Sequence, residues 1–299
     1  MIYPRSSNVI ADSRALPTVS PVQLLRRLAA RLLICAPLAA ASAVPAAADW
    51  LDGSFLRGSF AAFDVRPARW DGVLLGGTVG ASNMSTDFGT GTSSEIAYIL
   101  RNSTLESEFH PSTWTTLPKT VTNSQQWGAF LGYNWQMEQL VFGADVAYNR
   151  PSSLNSQAID SLERLASTSD GVNHDVTLQS MASLKLVDYA TVRGRIGYAV
   201  GQFLPYGMLG AAVGRFNRST SATVTDVQTG AVVGTFGPVT QSNGQDNVYT
   251  GGFLAGVGVD VAVLPNVFLR AEWEYIVWGP VNGIKSTLNT GRAGIGVRF

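Results

Sequence analysis

The sequence predicts an all-β chain, a closed antiparallel up-and-down transmembrane β-barrel of about eight strands, with short turns at one end and long loops at the other. Three observations carry that prediction. Residue character alternates along several segments, every second connection between them is a tight turn, and the last segment ends on an aromatic, Phe299, with apolar residues at alternate positions before it. A strand crossing a bilayer shows one side chain to lipid and the next to the interior, so a period of two with apolar outer positions is its signature.

The first 48 residues read as an export signal. Arg26, Arg27 and Arg31 form a basic region, residues 32–44 are a short alanine-rich apolar stretch, and Ala46-Ala47-Ala48 fits a small-x-small cleavage site before Asp49. The apolar stretch falls short of the roughly 20 residues a spanning helix needs. Cys35, the single cysteine, lies inside this signal, after a Leu-Leu-Ile that lacks the small residue of a lipoprotein site. The mature chain is therefore expected to have no disulfide and no cysteine metal site. The full chain has 21 basic and 21 acidic residues; the signal holds five of the former and one of the latter, leaving 16 against 20. A slightly acidic chain with no basic run argues against nucleic acid as a partner.

Residues 49–69 read as an N-terminal periplasmic segment and 70–299 as the barrel. Strands are expected at about 70–82, 126–136, 139–149, 186–200, 203–214, 248–262, 266–277 and 288–299. The connections alternate between long polar stretches and the tight turns Met137-Glu138, Gly201-Gln202 and Leu264-Pro265-Asn266. Short turns inside and long loops outside are what a barrel with both termini in the periplasm requires, and a soluble sandwich gives no reason for them.

Faces follow from parity. On the last strand Ala293, Ile295, Val297 and Phe299 oppose Arg292, Gly294, Gly296 and Arg298. On the strand before it Val267, Leu269, Ala271, Trp273, Tyr275 and Val277 oppose Arg270, Glu272 and Glu274. Arg193 and Arg195 alternate with Ala190, Val192, Gly194, Ile196 and Tyr198, and Asp145 is opposite in parity to Phe142, Ala144 and Val146. A charge at the lipid-facing midplane costs about 2–4 kcal/mol, so Asp145, Arg193, Arg195, Arg270, Glu272, Glu274 and Arg292 are expected to form an interior charge network. The strand from Phe203 is ambiguous, with Leu204, Tyr206 and Met208 competing against Gly207, Leu209 and Ala211 for the outer face.

Amphipathic rings favour the headgroup level, so aromatics near strand ends are read as two interfacial girdles: Trp70, Trp127, Tyr133, Trp135, Tyr148, Trp273 and Tyr275, with Tyr189, Tyr198, Tyr249 and Trp278 in similar positions.

The blocks Trp70-Asp-Gly-Val-Leu-Leu-Gly-Gly, Gly132-Tyr-Asn-Trp-Gln136, Val192-Arg-Gly-Arg-Ile-Gly-Tyr198, Phe203-Leu-Pro-Tyr206 and Arg270-Ala-Glu-Trp273 resemble the porin-like surface-antigen β-barrels of alphaproteobacteria, of the outer membrane protein 25/31 type. The resemblance runs in family order from Trp70 to Phe299 and omits the three long loops. It implies a Gram-negative outer membrane as location and outer-membrane lipid and lipopolysaccharide as surroundings. Ile295, Val297 and Phe299 resemble the signal by which the outer-membrane assembly machinery recognises its clients. No oligomeric state is read from any pattern.

Enzymatic readings are weaker. His110-Pro111-Ser112 has the look of the His-x-Ser of outer-membrane lipid A deacylases, but Pro111 removes a backbone donor and the motif sits in a polar loop. Glu272 and Glu274 suit interior salt bridges better than an acid/base pair. Gly252, Gly256 and Gly258 lie on an alternating strand rather than before a helix, against a dinucleotide site. His110 and His174, the two histidines, have no ligand-spaced partner and read as solvated loop residues, so no metal and no cofactor is expected. The expected function is that of a structural, non-enzymatic outer-membrane protein that contributes to envelope integrity and presents antigenic loops. A narrow porin-like pore or a small-ligand, haemin-type binding protein is the alternative, and a lipid-modifying enzyme a third.

Overall fold

The computed structural model describes residues 68–299; the expected signal, residues 1–48, and residues 49–67 of the N-terminal segment lie outside them. The strands are β1 (Gly72–Asp87), β2 (Thr120–Met137), β3 (Leu140–Pro151), β4 (Leu154–Ser167), β5 (Val172–Tyr198), β6 (Phe203–Gly230), β7 (Gly234–Leu264), β8 (Val267–Trp278) and β9 (Lys285–Arg298). All neighbours pair antiparallel, and β3 pairs with β5 as well as β2, which closes an eight-stranded ring in the order β1-β2-β3-β5-β6-β7-β8-β9. The seam between β9 and β1 runs from Leu74 opposite Arg298 to Asp87 opposite Lys285. β4 continues β3 after a break at Ser152-Ser153. It stays on β5 while leaving β2, whose last registered partner is Pro151.

One end of the barrel is level and the other is not. The turns at Glu138-Gln139, residues 199–202 and Pro265-Asn266 are tight as expected, with Glu138 (φ 56°) and Gly201 (φ 61°) in the left-handed region that such turns use. At the far end β5, β6 and β7 run for 27, 28 and 31 residues against 12 for β8 and 14 for β9. About ten tilted residues cross a bilayer. The surplus makes a four-stranded wall, β4 to β7, that rises above one side of the barrel.

The two expected long loops on that side are therefore mostly strand. Their side chains alternate in the opposite sense to those below. Within the barrel β5 turns Ala190, Val192 and Ile196 outward and Arg193 and Arg195 inward. Above it, Leu186, Leu184, Ala182, Leu178 and Val176 are buried, while Lys185, Ser183, Gln179 and Thr177 face out. The exchange falls beside a register shift between Leu186 and Asp188. Below it the outer solvent is hydrocarbon, and above it water, so the apolar face changes sides.

The first long connection folds onto the wall as two helices, α1 (Ser93–Leu100) and α2 (Thr104–Phe109). The Ser103 side chain caps α2 by accepting the Glu106 N–H at 3.1 Å, and His110 ends it in the left-handed conformation (φ 50°) just before Pro111. Ile96 and Leu100, four apart on α1, pack with Leu105 against Val176, Leu178, Ala222 and Val224 of the wall.

At the β4–β5 turn Thr168 Oγ1 donates to Asp170 at 2.5 Å and the Val172 N–H donates to the same carboxylate at 3.3 Å. The Thr168 hydrogen bond holds the Asp170 carboxyl below its ordinary range. A depressed folded value means the bond contributes fully at neutral pH and is lost as pH falls through that value. The protection factor of the Val172 amide is expected to fall on acidification below about pH 4, the ordinary carboxylate range, and an unchanged protection factor would count against it.

Candidate functional site

The seven residues expected inside are all at most 6% exposed and converge on one layer of the lumen. Arg193 donates from Nε to Asp145 at 2.5 Å and from Nη1 to Glu272 at 3.1 Å and Glu274 at 3.3 Å. Arg292 reaches the same two glutamates at 2.6 and 2.8 Å. Arg270 grips Asp260 with two parallel bonds of 2.8 and 2.7 Å. Arg195 joins Asp260 at 3.2 Å and the Asn134 side-chain oxygen at 2.7 Å. Tyr206 donates to Glu272 at 2.7 Å. Four guanidinium groups face four carboxylates, so the layer is neutral, the condition under which buried charge is tolerated. Each charged group has at least one partner, while Arg270 Nη1, Glu274 Oε1 and Asn134 Nδ2 make no hydrogen bond.

Asp260, Asn134 and Tyr206 also belong to this layer, beyond the seven residues that strand parity singles out. Asp260 had a readable signal, because it shares parity with Gly256 and Gly258 while Val257, Val259 and Val261 face out. Tyr206 settles the open strand: Leu204, Tyr206 and Met208 point inward, and Leu209 is 70% exposed. The β7 glycines make this possible. A Cβ on Gly258 would stand 2.7 Å from the Tyr206 ring, and one on Gly256 would stand 2.5 Å from Met208 Cε.

Apolar layers pack above and below the charges. Trp70, Leu74, Phe130, Leu204, Met208 and Phe268 cluster toward the level end. Leu186, Tyr189, Phe216, Leu254, Ile276, Trp278 and Leu288 cluster toward the wall.

Of the expected girdle aromatics, Trp127, Tyr133, Trp135, Tyr148, Trp273 and Tyr275 lie on the outer surface, 37–54% exposed, as do Tyr198 and Tyr249. Trp70 does not. It is fully buried, edge-on to Phe268 at 6.2 Å, because it precedes β1 on the parity of Leu74 and turns into the lumen. Tyr189 and Trp278 are also interior, in edge contact with each other at 5.9 Å. Ile295, Val297 and Phe299 face outward, and the Phe299 backbone exchanges hydrogen bonds with Val73 on the first strand.

His174 is likewise not a solvated loop residue. It is 6% exposed on the inner face of the wall, with Nδ1 2.8 Å from Asp226 and Nε2 3.1 Å from the Thr168 hydroxyl. His174 and Asp226 are 52 residues apart, beyond any local spacing rule. His110 and Ser112 are not bonded to each other; Ser112 Oγ donates instead to Glu106 at 2.5 Å.

A family model described as outer membrane protein beta-barrel domain matches residues 33–299. The chain is 28% identical over 146 residues to a 22 kDa outer membrane protein of Rhizobium leguminosarum bv. viciae, and the match covers 49% of this chain and 49% of that relative, about half the length of each. Solved structures that it is similar to include Ail, the attachment invasion locus protein of Yersinia pestis, at 15% identity over 77% of this chain and 99% of that one, with a TM-score of 0.32. Neisserial surface protein A matches at 15% identity over 77% and 100% of the two chains, with a TM-score of 0.31. OprG from Pseudomonas aeruginosa matches at 11% over 78% and 98%, with a TM-score of 0.36.

Proposed function

Because the chain belongs to the outer membrane protein beta-barrel domain family, we propose that it is a structural, non-enzymatic protein of that membrane, whose barrel anchors it and whose wall is its exposed, antigenic surface. Within the family we assign it to the porin-like surface antigens of alphaproteobacteria, on its sequence blocks and its Rhizobium relative. The observation that carries the structural reading is the layering of the lumen. Ions would have to pass a neutral, ion-paired charge layer sandwiched between two apolar clusters. An eight-stranded barrel is just wide enough for side chains to fill, and these do. Ser112, bonded to a carboxylate rather than to His110, lacks the base that a serine nucleophile needs.

Two measurements test this on protein refolded into membranes. Migration on a gel should shift on boiling, as expected of a closed barrel. Planar-bilayer recordings should then stay silent; steady openings abolished by substitution of Arg193 or Glu272 would replace the structural reading with that of a narrow pore.

A further inference from the structure

The structure assigns a phosphate-binding site for an outer-leaflet glycolipid headgroup to Arg150, Lys185 and Arg215 on the outside of the barrel, at the foot of the wall. It rests on the chain folding as a membrane barrel, which the boiling shift tests separately.

A single rung of neighbouring strands builds the site. Trp127 on β2 is registered with Arg150 on β3, Asp188 on β5 with Arg215 on β6, and Arg215 with Tyr249 on β7. Arg150 and Asp188 each lie one step beyond the last registered pair of their strands, Asn149 with Tyr189. Lys185, paired with Asn217, lies just above. The rung thus reads aromatic, cation, anion, cation, aromatic, all on the outer face.

Its height matches a headgroup. Arg150 and Asp188 stand ten residues above Leu140 and Tyr198 at the level end, and at roughly 2.5 Å of height per tilted residue this is about 25 Å, the thickness of the apolar band. The continuous apolar outer face ends there too, since Tyr148 and Val192 lie below the rung and Lys185 and Asn217 above it, with Ile159 and Met181 as an isolated exposed pair higher on the wall. At the same distance from the level end the outward residues of β1, β8 and β9 are uncharged: Asn83, Val277 and Asn289.

The charges are not balanced among themselves. Asp188 is engaged by Arg215, through Nε at 3.1 Å and through Nη2, and it accepts the Tyr148 hydroxyl at 3.1 Å. Among the described residues Arg150 and Lys185 have no carboxylate within salt-bridge distance. Three cations against one anion leave two positive charges at the edge of hydrocarbon, flanked by rings that favour this depth. A phosphate on a membrane glycolipid supplies the missing negative charge at that height, and arginine's planar fork matches its oxygens.

The full chain, refolded in detergent, is titrated with bisphosphorylated lipid A, with dephosphorylated lipid A and with inorganic phosphate, and Trp fluorescence is followed. The wild type should prefer the phosphorylated lipid. Arg150→Gln with Lys185→Gln should weaken that binding about fivefold per charge removed. Asp188→Asn should tighten it by releasing Arg215, an effect no purely structural role for Asp188 would give. Lys285→Gln, at the top of β9, should change nothing. Undiminished preference in the double variant with an intact boiling shift would overturn the site, as would a loss of affinity in Asp188→Asn. Saturation by inorganic phosphate with no preference between the two lipids would overturn the assignment to a membrane lipid.

Discussion

Glu272→Ala is expected to destabilise the folded barrel by about 3–5 kcal/mol, because it strips the countercharge from guanidinium groups that stay buried. Glu272 accepts from Arg292 at 2.6 Å, from Arg193 at 3.1 Å and from Tyr206 at 2.7 Å. After the change Arg292 retains Glu274 and Asn149, and Arg193 retains Asp145 and Glu274, but the layer carries four cations against three anions. Urea unfolding in lipid vesicles, followed by Trp fluorescence, measures the loss. Glu272→Leu combined with Arg292→Met removes one charge of each sign and should recover much of it, since an ion pair replaced by apolar groups of similar volume is often close to neutral. A single-variant cost below about 1 kcal/mol would mean the layer tolerates imbalance through water and would weaken the case for a sealed lumen.

Trp278→Ala should cost about 3–5 kcal/mol, the range for emptying a buried aromatic site. Trp278 is 4% exposed and meets Phe216 edge-on at 5.4 Å and Tyr189 at 5.9 Å. Trp127→Ala, on the outer surface and 51% exposed, removes a ring that neighbouring lipid can replace, so its cost should be clearly smaller. Equal costs in the same unfolding assay would place Trp278 at the membrane surface after all.

How far the sequence could be read depended on which solvent shaped each segment. In the bilayer, lipid forces apolar residues outward, so the parity of Ala190, Val192 and Ile196 was legible and drew Arg193 and Arg195 inside with it. Above the bilayer the wall follows the rule of a water-facing sheet. Its outer Ser, Thr and Gln residues looked like loop, although Leu178, Leu184 and Leu186 keep a period of two. Tyr189 and Trp278 were within reach: Tyr189 shares parity with Arg193, and Trp278 with Glu272 and Glu274. Proximity to a strand end carries no direction, whereas parity decides which way a side chain points. The pairings of Asp260 with Arg270 and of His174 with Asp226 depend on register between strands, which no single segment contains.

The exchange of apolar faces near Asp188 also acts as a waterline. A bilayer thickened by one rung would have to strip water from Arg150 and Arg215, and a thinner one would leave Val192 and Val213 wet. Both displacements are opposed, so the molecule fixes its own depth of immersion and makes the surrounding lipid stretch or compress to meet it.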